Sequence, residues 1–107
     1  MIRVTVYNNR GTYNKITVSG HAGYAEEGED IVCAAVSALV INTANSLERF
    51  TGENISVDEN GKKGSIEIRF NAVPGKEGKL LMDSLVYGLE DIKEGSADYI
   101  DICYKEG

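Results

Sequence analysis

One stretch of this sequence holds most of the side chains with a chemistry of their own: Ser19-Gly20-His21-Ala22-Gly23-Tyr24-Ala25-Glu26-Glu27-Gly28-Glu29-Asp30-Ile31-Val32-Cys33, followed by Ala34-Ala35-Val36-Ser37. His21 is the one histidine of the chain, and Cys33 is one of two cysteines. A cysteine acts as a nucleophile through its thiolate, and an imidazole within about 3 Å is the side chain best suited to take its proton near neutral pH. Cys-His pairing is set in space rather than along the chain. From spacing alone, then, Cys33 is either that nucleophile or a small buried residue of an apolar helix, and His21 is either its base or an exposed loop residue.

The surrounding residues bear on that choice. Asp30 stands where a helix N-cap is expected, which would place Cys33 third in the helix, near unpaired amides and the positive end of the macrodipole. Its carboxylate would also repel a thiolate, an effect a protonated His21 would offset. Asp30 therefore reads as the cap or as a third group orienting the imidazole. Ser37 lies one turn beyond Cys33, as a hydrogen-bonding member of the site or as a small residue at a tight contact. Gly20, Gly23 and Gly28 would let the intervening segment turn sharply or swing as a lid. Ala22 and Tyr24 lie on the same segment, and Tyr24 would touch substrate or anchor the loop. Cys103 alternates out of phase with Ile100 and Ile102 and is given no role.

No metal or cofactor is expected. His21, Cys33 and Cys103 supply at most three ligands, without the Cys-x-x-Cys or His-x-x-x-His spacing of a structural zinc site. A phosphate-cradling glycine motif is also missing. Glu26-Glu27 and Glu29-Asp30 read as a solvated acidic run.

The elements that must position these residues follow from periodicity. Ile2, Val4 and Val6 alternate with polar residues as a strand, Asn8-Asn9-Arg10-Gly11 turns, and a second strand runs from about Tyr13 to Ser19. Gly20 to Asp30 is a loop. Ile31 to Phe50 is a long, largely buried helix with two adjacent apolar stripes, one through Ile31, Ala35, Ala38, Leu39, Asn42 and Ser46, the other through Val32, Val36, Val40, Thr43 and Leu47. Its small residues, Ala34, Ala35, Ser37, Ala38 and Ala44, would allow close packing on a sheet, and Gly52 stops it. Ile55 and Val57 begin a third strand, Asn60 to Gly64 turns, and Ile66, Ile68 and Phe70 form a fourth. After Pro74-Gly75 a second helix runs from about Lys76 to Glu94 with Leu81, Leu85, Leu89 and Ile92 on its apolar face, ending at Gly95. Ile100, Ile102 and Tyr104 mark the last strand. The expected fold is α+β and two-layered, a largely antiparallel sheet with both helices on one face, in the order ββαββαβ.

With 107 residues, residues 1–107 make one domain. Hydrophobic residues at 42% and charged residues at 26% argue against disorder. A net charge of −6 disfavours direct nucleic-acid binding, which calls for a basic surface. No apolar run approaches the ~18 residues of a membrane span and no signal peptide is visible, so a cytoplasmic protein without membrane attachment is expected.

The string Gly20-His21-Ala22-Gly23 … Gly28-Glu29-Asp30-Ile31-Val32-Cys33-Ala34-Ala35-Val36-Ser37 resembles the ribosomal-processing cysteine protease (Prp) family: a Gly-His-Ala triplet, a glycine-bearing loop, Asp-Ile-Val-Cys-Ala, and a serine one turn on. Eleven residues separate His21 from Cys33, as in that pattern. The resemblance implies a cysteine endopeptidase in which Cys33 and His21 form the dyad and the loop between them closes over the peptide. It further implies that the substrate is a large-subunit ribosomal protein, trimmed of a short N-terminal extension, and that the enzyme is a homodimer. Three other readings stand beside it: a non-catalytic ribosome-associated binding module, a redox-sensing thiol protein that would need Cys103 near Cys33, and a cysteine enzyme acting on something other than peptide.

Overall fold

The computed structural model describes residues 1–20, 28–60 and 64–107. The element order is β1 (Ile2–Asn9), β2 (Thr12–Ser19), α1 (Glu29–Phe50), β3 (Ile55–Asn60), β4 (Ser65–Phe70), α2 (Lys76–Gly95) and β5 (Ile100–Glu106), the expected ββαββαβ. The strands form one sheet in the order β3-β4-β2-β1-β5. Three pairings are antiparallel, and β5 closes the sheet parallel to β1.

Because side chains alternate along a strand, the register decides which residues share a face. Val4 pairs with Val18 and Ile102, Val6 with Ile16, and Ile2 with Ile100. Ile16 in turn pairs with Ile68, and Val18 with Ile66. These residues are all buried, and with Val36, Val40 and Leu47 of α1 and Met82, Leu85 and Leu89 of α2 they form one core. The other face carries Thr5, Lys15, Thr17, Glu67, Arg69 and Cys103, polar or small residues that leave it open to solvent. Both helices therefore lie on the same side. The β1–β2 connection is a two-residue turn with φ of 55° at Arg10 and 82° at Gly11, the left-handed pair whose twist suits a hairpin.

Two helical details differ from the sequence expectation. Only the Val32, Val36, Val40, Thr43, Leu47 stripe of α1, with Ala44, is buried. Ile31 is 74% exposed, and Ala34 and Ala38 also face outward. Two apolar stripes lie side by side, and one sheet can cover only one of them. By length and composition α1 is also apolar enough to cross a bilayer, its mean hydropathy reaching 1.5. Its buried stripe is instead part of the core. In α2, Met82 and Val86 are buried beside Leu85 and Leu89, while Leu81 and Ile92 pack at the margin.

The start of α2 is fixed from a distance. Glu53, in the α1–β3 connection, accepts the backbone N–H of Gly75 (3.0 Å to Oε2) and of Gly78 (2.8 Å). These amides are among those a helix leaves unpaired at its N-terminus, and a carboxylate there also opposes the macrodipole.

Candidate active site

Cys33 lies in the opening turns of α1, partly buried and packed against the core. The helix begins earlier than the sequence suggested. Gly28 is the N-cap residue and Glu29 the first helical one, so Cys33 is fifth in the helix rather than third. Asp30 is consequently not the cap: it sits inside the first turn, exposed, beside Glu29. A glycine takes the cap position because the chain enters there with φ 98°, a left-handed value that an aspartate adopts only at a cost. The Gly28 carbonyl accepts the Val32 N–H at 3.3 Å and so starts the helical ladder.

The electrostatics around the sulfur are mixed. Burial raises the Cys33 thiol above its ordinary pKa, a hydrogen bond with the Ser37 side chain pulls it down, and the carboxylates of Asp30 and Glu29 push it up again. The net direction is upward. Ser37 thus does hydrogen-bond in the site, one turn along the same helix face, while Asp30 acts on Cys33 through charge. The described surroundings favour the thiol, so ready thiolate formation calls for a nearby cation.

The two ends of the segment joining β2 to α1 are both built on the start of β1 and the lead into β5. At Gly20 φ is 83°, and a Cβ there would collide with the Met1 carbonyl oxygen. At Gly28 a Cβ would stand 3.1 Å from Tyr99 Oη. The Met1 amino group pairs with Glu29 at 3.0 Å. These glycine positions were singled out from sequence, whereas the neighbours that demand glycine, Met1 and Tyr99, were not. Those contacts join residues 19 to 71 positions apart, and no local pattern signals them. His21, Ala22, Gly23 and Tyr24 lie outside the described residues.

The other cysteine is placed by register. Cys103 pairs with Thr5, on the open face of the sheet, whereas α1 covers the opposite face. A five-stranded sheet lies between the two sulfurs, which removes the redox-pair reading. Among the described residues no cluster of three metal-ligating side chains occurs. A groove of about 270 Å³ lies on the open face at the end of β2, lined by Thr17, Ser19, Asp58, Asn60, Ser65 and Glu67 among others. Cys33 is not part of its wall.

Comparison with known proteins places this geometry. Residues 1–101 match the family described as Cysteine protease Prp. The ribosomal processing cysteine protease Prp of Staphylococcus aureus is 32% identical over 106 residues, 97% of each chain. That of Bacillus subtilis is 28% identical over 89 residues, 79% of this chain and 80% of the relative. The crystal structure of the S. aureus protease in complex with a substrate peptide superposes with a TM-score of 0.93 at 28% identity, covering 98% of this chain and 100% of that one. A family match along nearly the whole sequence and a fold shared to this degree show that the chain belongs to the Prp family of cysteine proteases.

Proposed function

We propose that this protease removes a short N-terminal extension from a large-subunit ribosomal protein, with Cys33 as nucleophile and His21 as general base. The observation that carries the reading is the setting of Cys33: a cysteine at the start of a helix, hydrogen-bonded with Ser37, following the Gly-His-Ala triplet. Relatives named as ribosomal processing proteases, one of them crystallised with a substrate peptide, support the substrate class.

In the proposed reaction His21 takes the Cys33 proton, and the sulfur attacks the scissile carbonyl carbon. The imidazolium also supplies the positive charge that a thiol with a raised pKa needs in order to ionise. Amides at the start of α1 stabilise the tetrahedral oxyanion, a contribution of about 3 kcal/mol or more per well-placed donor. The C–N bond breaks as His21 returns the proton to the leaving amine. Water, deprotonated by His21, then cleaves the thioester, releasing a carboxylate product and restoring the thiol.

An extended peptide reaches such a site most simply by adding to a sheet edge. β3 and β5 are the outer strands of the sheet and the candidates for that edge. A second copy of the chain is the proposed partner for the outer surface of the helix layer, where Ile31 (74%), Leu80 (68%) and Tyr87 (74%) are exposed. Sedimentation velocity at micromolar concentration tests that assignment: a dimer supports it and a monomer rejects it. The cytoplasm, where ribosomal proteins are made, is the proposed location.

The direct test incubates the purified protein with the N-terminally extended ribosomal protein of the same organism, in parallel with Cys33→Ala, and follows substrate mass. Loss of the extension with the native enzyme alone supports both the substrate and the nucleophile. An intact substrate in both reactions, still tightly bound, would turn the assignment toward a docking module.

A further inference from the structure

Tyr99, in the turn before β5, has the properties of a fixed post facing the start of the nucleophile helix. Its backbone is held on both sides: its N–H donates to the Ser96 carbonyl (2.9 Å), and its carbonyl accepts the Ile2 N–H (2.8 Å). The ring packs against the core. Its outer edge meets Gly28, where a Cβ would lie 3.1 Å from Oη, 3.3 Å from Cζ and 3.5 Å from Cε2.

Tyr99 faces the opening turn of α1, where Val32 is the one buried side chain. From Val36 onward the helix is held by fully buried side chains, Val36, Val40 and Leu47, each at 0% exposure. The opening turn is held by Val32, 6% exposed, and by the Met1–Glu29 pair, but it has Ile31 in solvent, a glycine in the cap position, and a first ladder hydrogen bond of 3.3 Å, just beyond the usual range. Glycine is the residue whose backbone rotates most freely. Cys33 follows Val32, where the opening turn joins the body of the helix.

We propose that Tyr99 is a positioning residue for the reaction at Cys33: its ring bears on Gly28, fixes the angle at which α1 begins, and so sets where the sulfur stands. This rests on Cys33 being the nucleophile. A misplacement of about 1 Å in a reacting group costs on the order of 100-fold in rate, so the contact acts on turnover rather than on substrate affinity.

The test compares Tyr99→Phe, Tyr99→Leu and Tyr99→Ala with the native chain. It measures kcat and KM on the ribosomal-protein substrate, and Cys33 alkylation against pH read by peptide mass, which counts Cys103 separately. Tyr99→Phe keeps the ring against Gly28 and retains most of kcat, and a loss there as large as in Tyr99→Leu would assign the effect to the hydroxyl and overturn a role for the ring. Tyr99→Leu and Tyr99→Ala lose roughly 10- to 100-fold in kcat with KM changed less than about threefold. Their alkylation midpoint moves down, because the burial that raises the Cys33 pKa is relaxed. A more easily ionised yet slower cysteine is the signature of lost position. Tyr99→Leu keeps apolar bulk in the core and is the deciding variant where Tyr99→Ala does not fold. A folded Tyr99→Leu protein with native kcat and an unmoved midpoint would overturn the proposal. If the native chain cleaves no ribosomal protein, the substrate assignment fails by itself and the alkylation profile still decides the role of Tyr99.

Discussion

The two long helices begin in opposite ways. The N-terminus of α2 is closed by Glu53, whose carboxylate accepts two of its amides. Both helices have a glycine at the N-cap, but among the described residues no side chain accepts the first amides of α1, which carries Cys33 among its first turns. One terminus has amides satisfied by a distant side chain, and the other, among the described residues, has none where chemistry is proposed. The contrast separates stability from function on the same kind of element: a capped terminus is a structural anchor, while an open one can lend its amides to a developing negative charge.

The widest gap between the two ends is expected from Cys33→Ala. Cleavage falls more than about 1000-fold, since the proposed nucleophile is not replaced, while the melting temperature moves little because the side chain is small and only partly buried. The reverse pattern is expected at Glu53. Glu53→Ala leaves two amides unpaired and lowers stability by about 2 kcal/mol, about 10 °C in a domain of this size, with kcat at 25 °C unchanged. A large loss of turnover in folded Glu53→Ala would show that the anchor end reaches the site, and the contrast would fail.

Gly78→Ala sharpens the comparison at lower cost. Alanine normally gains about 1 kcal/mol over glycine inside a helix. Here its Cβ would lie 2.6 Å from Glu53 Oε2 and 2.7 Å from Phe70 Cε2. The clash prevails, and thermal denaturation should show a net loss of about 1 kcal/mol. The smallest effect is expected at the open end. Asp30→Asn removes a carboxylate that raises the Cys33 pKa, so the thiolate forms at lower pH and the alkylation midpoint drops. Glu29→Gln should do the same to a lesser extent, and a midpoint that rises in either variant would contradict the sign.

Much of this was legible in the sequence. Ile2, Val4 and Val6, and again Ile66, Ile68 and Phe70, alternate with polar residues, so the strands, their single apolar face and the two-layer arrangement followed. Cys33, Ser37 and the glycines at 20 and 28 were likewise singled out, because their types and order are unusual. The boundary of α1 was not, since Asp30 has the side chain of a cap while Gly28 has the backbone of one. Periodicity alone could not choose between two apolar stripes on α1, because the choice is made by the width of the sheet. Glu53 and Tyr99 were invisible for a shared reason. Each acts on a glycine far along the chain, and the pattern of a single sequence records neighbours within a few residues.

The parallel pairing of β1 with β5 has a consequence for assembly. Ile2 is matched with Ile100, and Ile102 with Val4, so the innermost rows of the sheet join the two ends of the sequence. Contacts this remote are slow to form, because a long loop must close before they contribute. During synthesis β1 emerges before β5 and lacks one of its two neighbours until that strand has left the ribosome. The turn that carries Tyr99 docks with that strand, which makes the start of α1 among the last places to settle. A chain built this way orders the turn that leads to Cys33 only after β5 has been made.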